Sequence, residues 1–132
     1  MPTLNQMLSS PLIRAPAGPW SSAIRVAPGA SYVFTAGLVG VKPDGTFDAD
    51  ISGQTVQAFR NLLAILGAAG MSMDHVVKLN TYLVDIDDQP RYAEARKPFL
   101  GDAHPAMTLL EVKRLARPGL RLEVEAIAAK HD

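Results

Sequence analysis

The chain has 132 residues, 48% hydrophobic and 20% charged, which fits one globular domain over residues 1–132 and excludes general disorder. Thirteen basic residues balance thirteen acidic ones, so we expect neither nucleic acid nor a membrane as partner. The chain has no cysteine for disulfides or thiolate chemistry, and no apolar run approaches the roughly 18 residues that span a bilayer. We expect no secretory leader and a cytoplasmic protein.

The first part of the chain is rich in turn-forming residues. Three prolines within residues 1–18 predict an extended lead-in. Pro28-Gly29 separates two strand-like runs and therefore predicts a β-hairpin. The second run, residues 32–41, ends at the turn sequence Pro-Asp-Gly of residues 43–45.

One amphipathic helix stands out in the middle of the chain. Ser52 is a suitable N-cap, and Gly70 suits the position after the last turn. Between them, apolar residues recur at helical spacing on one face: Val56, Phe59, Leu62, Leu63 and Leu66.

The second half alternates between strands and one more helix. Residues 76–85 alternate strictly, which predicts a strand with Val76 on the face opposite Leu79. Asp85, Asp87 or Asp88 can cap a helix that runs to about Arg96. Further strands are predicted at residues 106–112 and 120–128, the latter with apolar residues at every second position.

This order predicts an α+β fold, ββαβαββ, with a single sheet covered on one face by two helices. The opposite face mixes polar side chains with Tyr32, Phe34, Val76, Tyr82 and Ile127. These side chains are too apolar for a fully exposed face, so we expect other subunits to bury part of it.

Five stretches resemble the RidA/YjgF family of imine and enamine deaminases. They are GPWSSAI (18–24), VFTAGLVG (33–40), the helix and strand of residues 54–88, HPAMTLLEV (104–112) and LEVEAIA (122–128). The likeness extends over about residues 14–130, in order and with compatible spacing.

The resemblance implies a YjgF/chorismate-mutase-like homotrimer with a central barrel and ligand clefts between subunits. It also implies hydrolysis of a small 2-imino acid, or its enamine tautomer, to a keto acid and ammonia, without cofactor or metal. Such chemistry requires a cation for the substrate carboxylate, a group that activates water, and a cleft that holds the substrate.

The family pattern assigns candidate site residues, with one conspicuous departure. Met107 occupies the position of the family's carboxylate-binding arginine, and a thioether cannot pair with a carboxylate. Arg96 is the candidate for a replacement cation, and Glu123 matches the family's water-orienting glutamate. The remaining substrate-binding candidates, with Met107 as a cleft wall, are Trp20, Gly37, Leu38 and Thr108.

Each candidate also has a purely structural interpretation. Glu123 is equally compatible with a wet sheet face, and Glu125 with an ion pair to Arg121. Arg96 could be an exposed helix arginine paired with a nearby acid, and Trp20 a packing anchor. His75 and His104 are not spaced like a metal pair, so no metal site is expected.

Two functional hypotheses follow, with a remote third. The chain is either a RidA-like hydrolytic deaminase acting on a small imine or enamine other than the usual 2-imino acids, or a trimer that binds a metabolite without turnover. Endoribonuclease or translation-inhibitor activity, a label that some relatives carry, is disfavoured by the balanced charge.

Overall fold

The computed structural model describes residues 5–132, which form a mixed sheet, a two-stranded ribbon and two helices. The elements are β1 Asn5–Leu8, β2 Ala23–Val26, β3 Ala30–Phe34, β4 Leu38–Val39, α1 Ile51–Ala68, β5 Val76–Leu83, α2 Gln89–Leu100, β6 Ala106–Glu111 and β7 Leu122–His131. Short 3₁₀ turns at Met73–His75 and Ile86–Asp88 precede β5 and α2. No helix within this range has both the length and the apolar character needed to cross a membrane.

The predicted α+β class and the two helices on one sheet are confirmed. The sheet order is β3-β7-β5-β6, with β4 also paired to β7. β5 and β6 run parallel, and the other pairs are antiparallel. The alternate apolar residues of β7 face the helices and are at most 3% exposed: Leu122, Val124, Ala126 and Ala128.

The predicted hairpin at Pro28-Gly29 is wrong. β2 pairs with β1 in a separate ribbon, with Asn5 opposite Val26, whereas β3 pairs with β7. Gly29, at φ 90°, lets the chain turn from the ribbon into the sheet. The predicted lead-in therefore contains a strand, and its residues 1–4 lie outside the described part.

The N-cap of α1 is Asp50, not the predicted Ser52. The Asp50 carboxylate accepts the Gly53 N–H at 3.1 Å, so α1 begins earlier than expected. Gly70 ends the helix as predicted, at φ 69°. Inside the core, the Gln54 amide donates to two loop carbonyls and accepts the Arg121 N–H, which joins the loops on either side.

α2 extends one turn beyond the predicted end at Arg96. Pro98 lies inside its last turn, where its missing N–H removes only one hydrogen bond, and Gly101 ends the helix at φ 53°. The extra turn brings Leu100 into the core at 4% exposure. Arg96 thus lies within the helix rather than at its frayed end.

A β-bulge at the start of β5 changes which of its first residues face the core. The pairing with β7 slips between Val76 and Lys78, which leaves Val77 as the additional residue. Val76 therefore turns into the core and is only 4% exposed, contrary to its predicted place on the opposite face.

The face away from the helices combines a polar cluster with exposed apolar side chains. Tyr82 Oη donates to Glu125 Oε1 at 2.6 Å, and Asn80 donates to the same oxygen. The expected Glu125–Arg121 pair is wrong, because Arg121 donates two hydrogen bonds to the buried Asp88. Around this cluster, large apolar side chains are 49–71% exposed: Tyr32, Phe34 and Leu110.

Candidate functional site

A cavity of about 220 Å³ lies between α2, the β5–β6 edge and the segment before β2. Four candidate residues from the sequence come together there: Trp20, Arg96, Met107 and Thr108. Thr81, Gln89 and Leu109 complete its wall. We call this space the Trp20 cavity.

Arg96 is the most unusual residue of this wall. It is only 6% exposed, and no carboxylate within residues 5–132 lies within 4.0 Å of its guanidinium. Its guanidinium carbon lies 4.9 Å from the centre of the Tyr92 ring, in cation–π geometry. The interpretation of Arg96 as an exposed, acid-paired helix arginine is therefore wrong. A buried cation without a counter-ion, bordering a cavity, is a strong site for an anionic ligand.

Tyr92 holds this guanidinium from one helical turn earlier. Its ring is fully buried and packs against Phe59, with the ring centres 6.3 Å apart. The hydroxyl shares a 2.5 Å hydrogen bond with Thr81 Oγ1 on β5, which fixes the ring relative to the sheet. Burial raises the pKa of Tyr92 above its ordinary value of 10.0, although Thr81 and Arg96 partly oppose this shift.

The raised pKa of Tyr92 predicts a particular alkaline behaviour. The pKa of Tyr92 is higher in the folded than in the unfolded chain, so its neutral hydroxyl contributes to the free energy of unfolding. This contribution is fully present below about pH 10 and is lost as the pH rises through the folded pKa. In Tyr92→Phe, the free energy of unfolding should fall less steeply above about pH 10, by up to ~1.4 kcal/mol per pH unit. Urea denaturation across that range measures the slope.

Tyr82 provides the comparison for this experiment. Its pKa is also raised, chiefly by the hydrogen bond to Glu125, so Tyr92→Phe should retain part of the alkaline loss. A double variant with Tyr82→Phe should show the flattest profile. Equal slopes in the wild type and Tyr92→Phe would contradict the burial effect.

Trp20 is held over the cavity by close backbone contacts. A side chain at Gly18 would collide with the indole, so glycine allows the ring to lie against the chain. Ser21 donates its N–H to the Pro105 carbonyl at 3.1 Å and its hydroxyl to the His104 carbonyl. These bonds fix the Trp20 segment to the start of β6, where Met107 lies.

The other candidates lie elsewhere on the sheet. Gly37 adjoins Glu123, since a methyl group at this glycine would lie 2.6 Å from the carboxylate. Leu38 packs against the core rather than into the Trp20 cavity. The Glu123 carboxylate makes no hydrogen bond or ion pair with residues 5–132, which leaves it available to a ligand or to another chain.

Glu123 and Met107 project from opposite faces of the sheet. Met107 is opposite the buried Leu79 in the β5–β6 register, and Glu123 is opposite Tyr82 in the β5–β7 register. Leu79 and Tyr82 are three residues apart on β5 beyond the bulge, so they point to opposite sides. Within one chain, Glu123 therefore does not line the Trp20 cavity.

The sequence interpretation missed Tyr92 and Thr81. The available signal was the spacing of Tyr92 and Arg96, four residues apart on one helix, which brings their side chains together. The Tyr92–Thr81 bond joins α2 to β5, and no local pattern indicates that contact.

Comparison with known proteins identifies relatives over nearly the whole chain. The family model described as Endoribonuclease L-PSP matches residues 12–130. A RutC family protein of Pyrococcus abyssi is 38% identical over 117 residues, covering 87% of this chain and 89% of the relative. A 2-iminobutanoate/2-iminopropanoate deaminase of Dermatophagoides farinae is 31% identical, covering 92% and 94%.

Solved structures agree with these matches. Escherichia coli TdcF with bound serine superposes with a TM-score of 0.72 at 29% identity, covering 95% of this chain and 98% of TdcF. The Rid family protein YyfB of Yersinia pestis gives a TM-score of 0.83 at 26% identity, covering 96% and 98%. The chain therefore belongs to the Endoribonuclease L-PSP family, which is the RidA/YjgF family that its motifs resemble.

Proposed function

We propose that this protein is a RidA-like deaminase that hydrolyses a small imine or enamine carrying a carboxylate and an apolar side chain. The observation that carries the proposal is Arg96, a buried guanidinium without a carboxylate partner within residues 5–132, in the wall of the Trp20 cavity. The names of two relatives support it, one a 2-iminobutanoate/2-iminopropanoate deaminase and one a reactive intermediate deaminase.

In this proposal Arg96 takes the role of the family's carboxylate-binding arginine, whose position is occupied by Met107 in this chain. Both residues line the same cavity, so a carboxylate held by Arg96 lies near the position that an arginine at 107 would serve. A guanidinium binds a carboxylate through two parallel hydrogen bonds, which also orients the adjoining imine carbon. Trp20, Met107 and Leu109 offer apolar walls to a substrate side chain longer than that of 2-iminopropanoate.

Glu123 enters the site from a neighbouring subunit. Its carboxylate makes no bond within residues 5–132 and projects from the face that carries the exposed Phe34 and Leu110. A homotrimer that buries this face would bring Glu123 of one chain towards the Trp20 cavity of the next. There the carboxylate would orient water and accept its proton as the water attacks the imine carbon.

Hydrolysis of 2-iminobutanoate, generated in place by a threonine dehydratase, tests the activity. The wild type should accelerate loss of the imine, and Glu123→Gln should lower kcat by about 100-fold. The matched control is Glu125→Gln on the same strand face. This glutamine can still accept from Tyr82 and Asn80, so its kcat should stay close to the wild-type value.

Subunit mixing tests the shared cleft. Arg96→Met and Glu123→Gln should each have strongly lowered activity alone, whereas co-expressed chains should regain activity where one chain supplies Arg96 and its neighbour Glu123. Native mass spectrometry must show mixed oligomers. If mixed oligomers form without regaining activity, the two residues do not act across an interface.

A non-catalytic metabolite-binding trimer is the second candidate function. It is favoured by the arrangement within one chain. Among residues 5–132, no carboxylate lines the Trp20 cavity, and Met107 stands at the family's arginine position. This function predicts that carboxylates bind with Arg96 dependence but that the protein leaves the rate of imine loss unchanged.

A further inference from the structure

A second cavity, of about 380 Å³, also borders Arg96. We call it the α2 cavity. It is bounded by the N-terminal segment, α2 and the turn before β6, and its lining includes Glu94, Arg96, Lys97 and His104. Arg96 lines both this cavity and the Trp20 cavity, so the two cavities share this residue in their walls.

His104 is oriented in this cavity by its own backbone. Its Nδ1 lies 2.7 Å from the Asp102 carbonyl oxygen, which can only accept a hydrogen bond. The proton of the neutral ring must therefore be on Nδ1, which leaves Nε2 available for proton exchange. The hydroxyl of the buried Ser21 donates to the His104 carbonyl and fixes the residue beside the Trp20 segment.

We propose that His104 is a catalytic residue that exchanges protons with the imine nitrogen and the attacked carbon's oxygen. This assignment rests on the proposed deaminase function. Because Arg96 lines both cavities, a substrate whose carboxylate it holds can keep its side chain in the Trp20 cavity while the imine faces His104. The residue belongs to the same chain as Arg96, so its place does not depend on the assembly.

The proton steps balance with Glu123 as partner. Protonated His104 gives its Nε2 proton to the imine nitrogen, and water forms the C–O bond as Glu123 takes one of its protons. Glu123 then protonates the amine nitrogen. The C–N bond breaks as His104 takes the remaining hydroxyl proton, releasing ammonia and leaving the keto acid. Both residues end in their starting states.

Charged groups surround His104 on both packed elements. From α2, Glu94, Arg96 and Lys97 line the same cavity as His104, and Asp102 lies two residues before His104 on its own turn. A bound carboxylate offsets the charge of Arg96.

The test compares His104→Gln with His75→Gln in hydrolysis of 2-iminobutanoate. His75 lies in a 3₁₀ turn, where its ring accepts the Ser72 N–H, and glutamine can make the same capping contact. His104→Gln should lower kcat by about 100-fold, whereas His75→Gln should leave it unchanged. Binding of 2-oxobutanoate, measured by calorimetry, should be similar in both variants.

The pH profile separates proton transfer from a structural role. The wild type should lose kcat/KM on the alkaline side, and His104→Gln should lack this limb because no imidazolium remains to be deprotonated. If the wild type turns over the imine and His104→Gln has the same kcat and pH profile, the assignment of His104 is wrong but the proposed function stands. Absence of turnover by the wild type would overturn both this assignment and the proposed function.

Discussion

Replacing Arg96 with methionine is expected to leave the free energy of unfolding unchanged or to raise it by about 1 kcal/mol. Burial of a guanidinium without a counter-ion opposes folding, and the contact with the Tyr92 ring only partly offsets this cost. Methionine can fill a similar volume in an unbranched shape without a charge. Urea denaturation of the ligand-free protein measures the difference.

Arg121→Met is the matched control, because Arg121 donates to Asp88 at 2.6 and 2.9 Å and Asp88 is only 7% exposed. Removing this cation leaves a buried carboxylate without its partner, which should lower the free energy of unfolding by about 2 kcal/mol. If Arg96→Met were as destabilising as Arg121→Met, Arg96 would be structural and its assignment to the substrate would fail.

In the double variant Arg96→Met, Met107→Arg, the cation at position 107 is expected to restore part of the activity that Arg96→Met removes. Arg96→Met should lower kcat/KM for 2-iminobutanoate by about 10- to 100-fold, because a charge-assisted interaction contributes about 1.5–3 kcal/mol. Adding Met107→Arg should recover about tenfold of this, because the new guanidinium lines the same cavity. Steady-state kinetics of the three proteins measures the recovery.

Met107→Arg alone is the control for this series. It places two guanidinium groups in one cavity, so it should lower the free energy of unfolding by about 1–2 kcal/mol without raising kcat/KM. A large gain in activity from Met107→Arg in the presence of Arg96 would contradict the replacement, because it would show that Arg96 does not serve the carboxylate.

Local pattern was sufficient to predict the helices and most strands. Alternate apolar residues in β7 and the apolar face of α1 predict elements that need a buried side. The structure buries the β7 residues and, on α1, Phe59, Leu62 and Leu66, whereas Val56 and Leu63 are half-buried. The partner of β2 could not be predicted in this way, because a strand's own pattern does not name the strand it pairs with. The bulge at Val77 could not be predicted for the same reason, since it is a property of the β5–β7 pairing.

The sequence predicted the candidate site only in part, because local patterns do not reveal how the strands pair. Family motifs indicate Trp20, Met107 and Glu123, but the division of these residues between two faces of the sheet follows from strand register. The burial of Arg96 was unexpected because α2 is rich in charged residues and its apolar face is weakly defined. The Tyr92 ring covers the guanidinium from one turn earlier in the helix.

The most direct test of the account is calorimetric titration of 2-oxobutanoate, the keto acid of the proposed reaction, into the wild type and Arg96→Met. Binding to the wild type that is weakened at least about tenfold in Arg96→Met is the predicted result, because the carboxylate would lose its only cation in the Trp20 cavity as residues 5–132 define it. Equal affinity for the two proteins would show that Arg96 does not bind the substrate carboxylate.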